Sequence, residues 1–139
     1  KIKTGGDITV VSYGSTLKIV EKAATELEKF KISCEIIDCQ SLIPFDLDNS
    51  ICESIKKTNR VIIIDEDFSG GASAYILDNL INKQNIYDYL DSKPHTLSAQ
   101  DHRPAYGTDG DYFSKPSIDE VFNKIYSIMN ELSPEKYPI

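Results

Sequence analysis

The stretch Arg60-Val61-Ile62-Ile63-Ile64-Asp65 sets four β-branched apolar residues side by side between charged ends. A strand with one wet face alternates apolar and polar residues. An unbroken β-branched run reads instead as a strand buried on both faces, as in a parallel sheet covered by helices. Two more runs fit the same sheet, Ile8–Ser12, which ends at Tyr13-Gly14, and Cys34–Asp38. Between them Ser15 and Thr16 are placed to cap a helix, with Val20, Ala23, Ala24, Leu27 and Phe30 at the spacing of one buried face.

The strand–helix alternation continues along the chain. Pro44 stops the second strand from extending, and Asp46 and Asp48 put negative charge where a helix start favours it. Ile51 and Ile55 supply the inner face of that helix, and Lys56, Lys57 and Asn59 mark its end. After the Val61–Ile64 run comes Glu66-Asp67-Phe68-Ser69-Gly70-Gly71, then a helix from about Ala72 with Ile76, Leu77, Leu80 and Ile81 inward. Asn85–Leu90 reads as a weak helix or turn and His95–Ala99 as a last strand. A polar, glycine-bearing loop follows from Gln100 to Pro116. Ser117 then caps a final helix with Ile118, Val121, Phe122, Ile125, Ile128, Met129 and Leu132 at helical spacing. The pattern predicts an α/β fold, a three-layer α/β/α sandwich on a mainly parallel sheet. Residues 1–6, KIKTGG, read as a linker and 7–139 as one domain, with no internal repeat.

Charge narrows the partners. With 22 acidic against 15 basic residues the net charge is -7, which argues against nucleic acid and anionic membranes. An acidic surface suits a basic protein partner, although solubility alone is the commoner reason for one. No apolar run reaches the roughly 20 residues of a membrane span, and the polar start resembles no secretion signal. Cys34, Cys39 and Cys52 are odd in number and lack CxxC spacing, so buried structural thiols in a reducing cytoplasm are the favoured reading.

Three places carry candidate chemistry. Gly70-Gly71, after a strand and before a helix, would let a phosphate approach helix N–H groups. Its spacing is neither GxGxxG nor a P-loop, and Glu66 and Asp67 put the wrong charge beside it, so a tight turn is favoured. Asp65, Glu66 and Asp67 are a carboxylate run, but neighbours at a strand end point in different directions, which suits a contact surface better than an acid–base pair. In the third place, the loop from Gln100 to Tyr112, Asp101 beside His102 suggests a general base and Arg103 an anion clamp, with Tyr106 close behind. No serine or cysteine motif accompanies them. Thr108-Asp109-Gly110-Asp111 lacks the rest of a calcium loop. A loop that packs on another domain or subunit is the favoured account.

DITVVSYG (Asp7–Gly14), EIIDCQSLIPFD (Glu35–Asp46) and RVIIIDEDFSGG (Arg60–Gly71) carry a resemblance. Taken in order over nearly the whole chain, the sequence resembles the transketolase C-terminal domain, in the form found in the β part of 2-oxoacid dehydrogenase decarboxylases. DEDFSGGASAYILDNL, YLDSKPHTLSAQDHRPAYGTDGDYFSKPS and the final helix are similar to bacterial 2-oxoisovalerate (branched-chain) dehydrogenases whose α and β parts are fused. The resemblance implies a five-stranded sheet with one antiparallel strand. It implies thiamine diphosphate and Mg bound by two preceding domains, which also supply the catalytic groups, so that this chain holds no catalytic, cofactor-binding or metal-ligating residue. Asp38, Pro44 and Asp46 match a structural strand-to-turn pattern. Glu66, Asp67, Gly70, Gly71, Asp101, His102, Arg103 and Tyr106 become candidate interface residues.

The implied role is assembly. Partners would be the other domains or subunits of the decarboxylase, a second copy of the parent, and its lipoyl acyltransferase core. Two other readings stay open. One is the C-terminal domain of a transketolase or deoxyxylulose-phosphate synthase, which the acidic DEDFSGG turn fits poorly. The other is a free-standing acidic protein-binding module.

Overall fold

In the computed structural model, three β-branched runs lie side by side in one sheet. They are β1 (Ile8–Ser12), β2 (Cys34–Asp38) and β3 (Val61–Ile64), joined at the far edge by β4 (His95–Leu97). The structure describes residues 2–14, 16–38, 50–64, 86–97, 100–101, 113–114 and 117–138, with positions 76, 78 and 81. Sheet order is β2-β1-β3-β4 and every pairing in it is parallel. All four residues of β3 and all five of β1 are buried, as a doubly covered strand requires.

Alternation along the strands divides the core in two. Val10, Ile36, Ile62 and Ile64 belong to one apolar cluster, with α1 (Thr16–Glu28) and α3 (Ile118–Leu132). Val11, Ile37, Val61 and Ile63 belong to the other, with Ile51 and Ile55 of α2 (Ser50–Thr58), Ile76, and Ile86 of the short 3-10 turn Ile86–Tyr89. Helices on both faces of a parallel sheet make three layers, the predicted α/β/α sandwich. Each fully buried isoleucine removes enough apolar surface from water to be worth about 1.5–3 kcal/mol.

The helices end where the local chemistry ends them. Ser117 accepts the Glu120 N–H at 3.1 Å while Glu120 accepts the Ser117 N–H at 3.2 Å, a reciprocal cap on α3. At the other end of α3 the tail folds back. Tyr137 is buried in the α1–α3 cluster and Asn130 Nδ2 donates to its carbonyl at 2.7 Å. The α2 helix stops at Asn59, which takes a left-handed φ of 63°.

Some expectations need adjusting. Phe30, counted on the buried face of the first helix, is 49% exposed, because α1 ends at Glu28 and Lys31 turns the chain with φ 65°. The Gln100–Pro116 segment is not irregular throughout. Its ends pair as an antiparallel ribbon, β5 (Gln100–Asp101) with β6 (Phe113–Ser114). The main sheet has four strands among the described residues. Antiparallel pairing is found in that ribbon and in a bridge from Lys3 to Ile36 beside β2. That bridge lies in the 1–6 segment read as a linker. The expected helix from Ala72 is helical at Ile76, Asp78 and Ile81, with Ile76 fully buried, while Leu77 and Leu80 lie outside the described residues.

Candidate interface at the carboxyl edge of the sheet

Because the four strands are parallel, their carboxyl ends share one edge. β1 sits between β2 and β3, so its neighbouring connections run in opposite directions, the place where open α/β sheets form a crevice. Ser12 ends β1 there, buried, and its hydroxyl donates to the Ile64 carbonyl at 2.9 Å. That bond ties the ends of β1 and β3 together and satisfies a carbonyl at the strand terminus. Gly14 follows with φ 63°, a left-handed turn that glycine adopts without steric cost, and α1 begins two residues later.

Ile64 and Leu97 are partners in register on adjacent strands. The two groups of candidate interface residues follow these two strand ends in the sequence. Glu66, Asp67, Gly70, Gly71, His102, Arg103 and Tyr106 themselves lie outside the described residues, as do Pro44, Asp46 and Cys39. Asp101 is placed by its backbone alone, opposite Phe113 in the β5–β6 ribbon. Asp38 closes β2 opposite Ser12.

Titratable groups elsewhere are set by burial. His95, the first residue of β4, is 8% exposed. Burial, followed by the charges of Lys124 and Lys93, holds its imidazole below the usual histidine value. Cys34 and Cys52 are both buried. Burial, with help from Asp7, pushes the Cys34 thiol up to about 12, so it stays protonated and inert. Among the described residues no three His, Cys, Asp or Glu side chains converge as metal ligands, and no helix is long and apolar enough to cross a membrane.

Two features escaped the sequence reading. One is an open groove of about 620 Å³ lined by Glu26, Phe30, Ser117, Ile118, Asp119 and Phe122. Its wall is an aromatic group in which Phe30 stands edge-on to Phe122 and Tyr126, with centroids at 5.5 and 5.6 Å. The early stop of α1 at a lysine, without a glycine, hid it. The other is a polar cluster inside the α2 face. Thr9 Oγ1 shares hydrogen bonds of 2.7 Å with both Ser54 Oγ and Thr58 Oγ1, and the buried carboxylate of Glu35 pairs with Lys57. An acid inside the strand run CEIID, Glu35, was its sequence signal.

The family model of the transketolase C-terminal domain matches residues 1–114. Over 128 residues the chain is 32% identical to the pyruvate dehydrogenase E1 component subunit beta of Rickettsia bellii, covering 91% of this chain and 38% of that one. The corresponding subunit of Rhizobium meliloti is 31% identical over 91% of this chain and 27% of the relative. A chloroplastic beta-2 subunit of Arabidopsis thaliana is 39% identical over 72% of this chain and 24% of its own length. The chain thus spans well under half of each of these relatives. A solved structure described as a split gene transketolase, inactive beta4 tetramer, superposes with a TM-score of 0.67 at 21% identity, over 90% of this chain and 39% of that one, and it shows the same fold. On the order of its strands, its two-faced core and a family match running from the first residue to β6, this chain belongs to the transketolase C-terminal domain family.

Proposed function

We propose that this chain is the C-terminal assembly domain of a 2-oxoacid dehydrogenase decarboxylase component. The observation that carries the reading is the alignment of 91% of the chain with proteins named as pyruvate dehydrogenase E1 beta subunits. In this reading the parent decarboxylates a 2-oxoacid on thiamine diphosphate and passes the acyl group to a lipoyl arm. Thiamine diphosphate and Mg are then held by other domains of the parent, as the family resemblance implies, and no chemical step is assigned to this chain. The chain's part is mechanical. It buries surface against other domains and a second copy of the parent, so that sites built from two sides hold a fixed geometry.

The carboxyl edge, where β3 and β4 end side by side at Ile64 and Leu97 and the Glu66–Gly71 and Asp101–Tyr106 segments come next in the sequence, is the proposed contact region with those domains and with the acyltransferase core. A reducing cytoplasm is the compartment proposed, on three cysteines that are odd in number and lack CxxC spacing. For the substrate we favour 2-oxoisovalerate, on the similarity of DEDFSGGASAYILDNL and the loop after β4 to fused branched-chain enzymes. The names of the curated relatives favour pyruvate.

Assaying the full-length parent with thiamine diphosphate, Mg and an artificial electron acceptor over a panel of 2-oxoacids separates these readings. Preferred turnover of 2-oxoisovalerate supports the branched-chain assignment, and preferred turnover of pyruvate replaces it within the same function. Turnover of sugar phosphates alone, with no 2-oxoacid oxidised, would overturn the function in favour of a transketolase.

A further inference from the structure

We infer that residues 2–7 form a strap that closes the outer edge of β2, and that Glu35 couples this strap to the last turn of α2. Among the described residues β2 is the end strand of the sheet, so its outward N–H and C=O groups have no other strand of that sheet beside them. The strap supplies partners. Ile2 N donates to Ile36 O at 2.9 Å, Ile36 N donates to Lys3 O at 2.9 Å, and Asp7 N donates to Ser33 O at 3.0 Å. Asp7 Oδ2 accepts from Ser33 N at 2.7 Å, and Lys3 pairs with Glu28 of α1.

The coupling runs through one oxygen. Glu35 Oε1 accepts the Gly5 N–H at 3.2 Å and pairs with the Lys57 ammonium. Glu35 is 1% exposed, whereas Lys57 is about half exposed at the end of α2. The lysine therefore brings the charge that keeps a buried carboxylate ionised, and the ionised carboxylate is the strong acceptor that holds the strap amide. Gly5 fits beneath because it has no side chain, since a Cβ there would run into the Cys34 carbonyl and the Glu35 nitrogen. Drawing Lys57 away loosens the strap and offers the Ile36 backbone to another strand.

Amide hydrogen exchange by NMR on the 139-residue chain tests this. Lys57→Met and Glu35→Gln should each speed exchange at Gly5 and Ile36 by roughly tenfold while β1 and β3 amides keep their protection. The double variant should be no faster than either single one, because both act through the same oxygen. Unchanged protection at Ile36, additive effects, or an equal loss across β1 and β3 would each overturn the coupling. Should either variant fail to fold, Gly5→Ala leaves the Glu35–Lys57 pair in place and must still unprotect Ile36. Retained protection there would overturn the strap.

Discussion

Thr9 lies mid-sheet in β1 with no exposed surface, yet it carries a hydroxyl bonded to two others. Replacing it with valine keeps the volume and strands Ser54 and Thr58 without that partner, at a cost of about 1–3 kcal/mol in urea unfolding. Thr58 also donates to the Arg60 carbonyl at 3.0 Å, which favours the lower half of that range. His95 gives a pH signature. Its folded-state value is lowered, so the unfolded chain binds more protons on acidification. The stability it permits is fully present above about pH 6.5 and is lost as pH falls through the folded value. In thermal melts at a series of pH values, His95→Phe should flatten the decline below that point. Neither group was legible in the sequence, because ITVVS and HTLSA show which residues are polar but not which face their partners lie on.

At the scale of elements, the β-branched runs carried nearly all of the fold. Ile8–Ser12 and Cys34–Asp38 have the bounds that their composition suggested, and the run after Arg60 is buried throughout. Ser117 was visible as the cap of α3, and the structure adds Glu120, three positions on, as its reciprocal partner. What periodicity could not show was the stop of α1 at a non-glycine residue, or the pairing of Gln100–Asp101 with Phe113–Ser114 across eleven intervening positions. Pairings of that kind depend on tertiary placement more than on local preference. The buried β3 gives the sharpest check on the packing. Ile63 has no exposed surface and sits in the α2-side cluster, so Ile63→Ala should cost about 2–5 kcal/mol by chemical denaturation. A loss below about 1 kcal/mol would mean that the site collapses around the missing atoms or that β3 is not packed on both faces.

For the whole molecule, the candidate interface residues apart from Asp101 lie outside the described residues, and what is legible is the strand edge that precedes them in the sequence. Strand order puts the ends of β3 and β4, Ile64 and Leu97, side by side on one edge, and the candidate residues follow those ends in the sequence. Residue types alone did not show what they contact, since interface contacts are written partly in the other surface. The role proposed for the domain is to join other parts of the parent, and it rests on the 91% of the chain that aligns with E1 beta subunits. The central claim is therefore about assembly, and light scattering on the full-length parent with and without residues 7–139 tests it most directly. The expected result is a drop in mass to a smaller species, with 2-oxoacid decarboxylation lost as a consequence. An unchanged mass in the truncated parent would contradict the account.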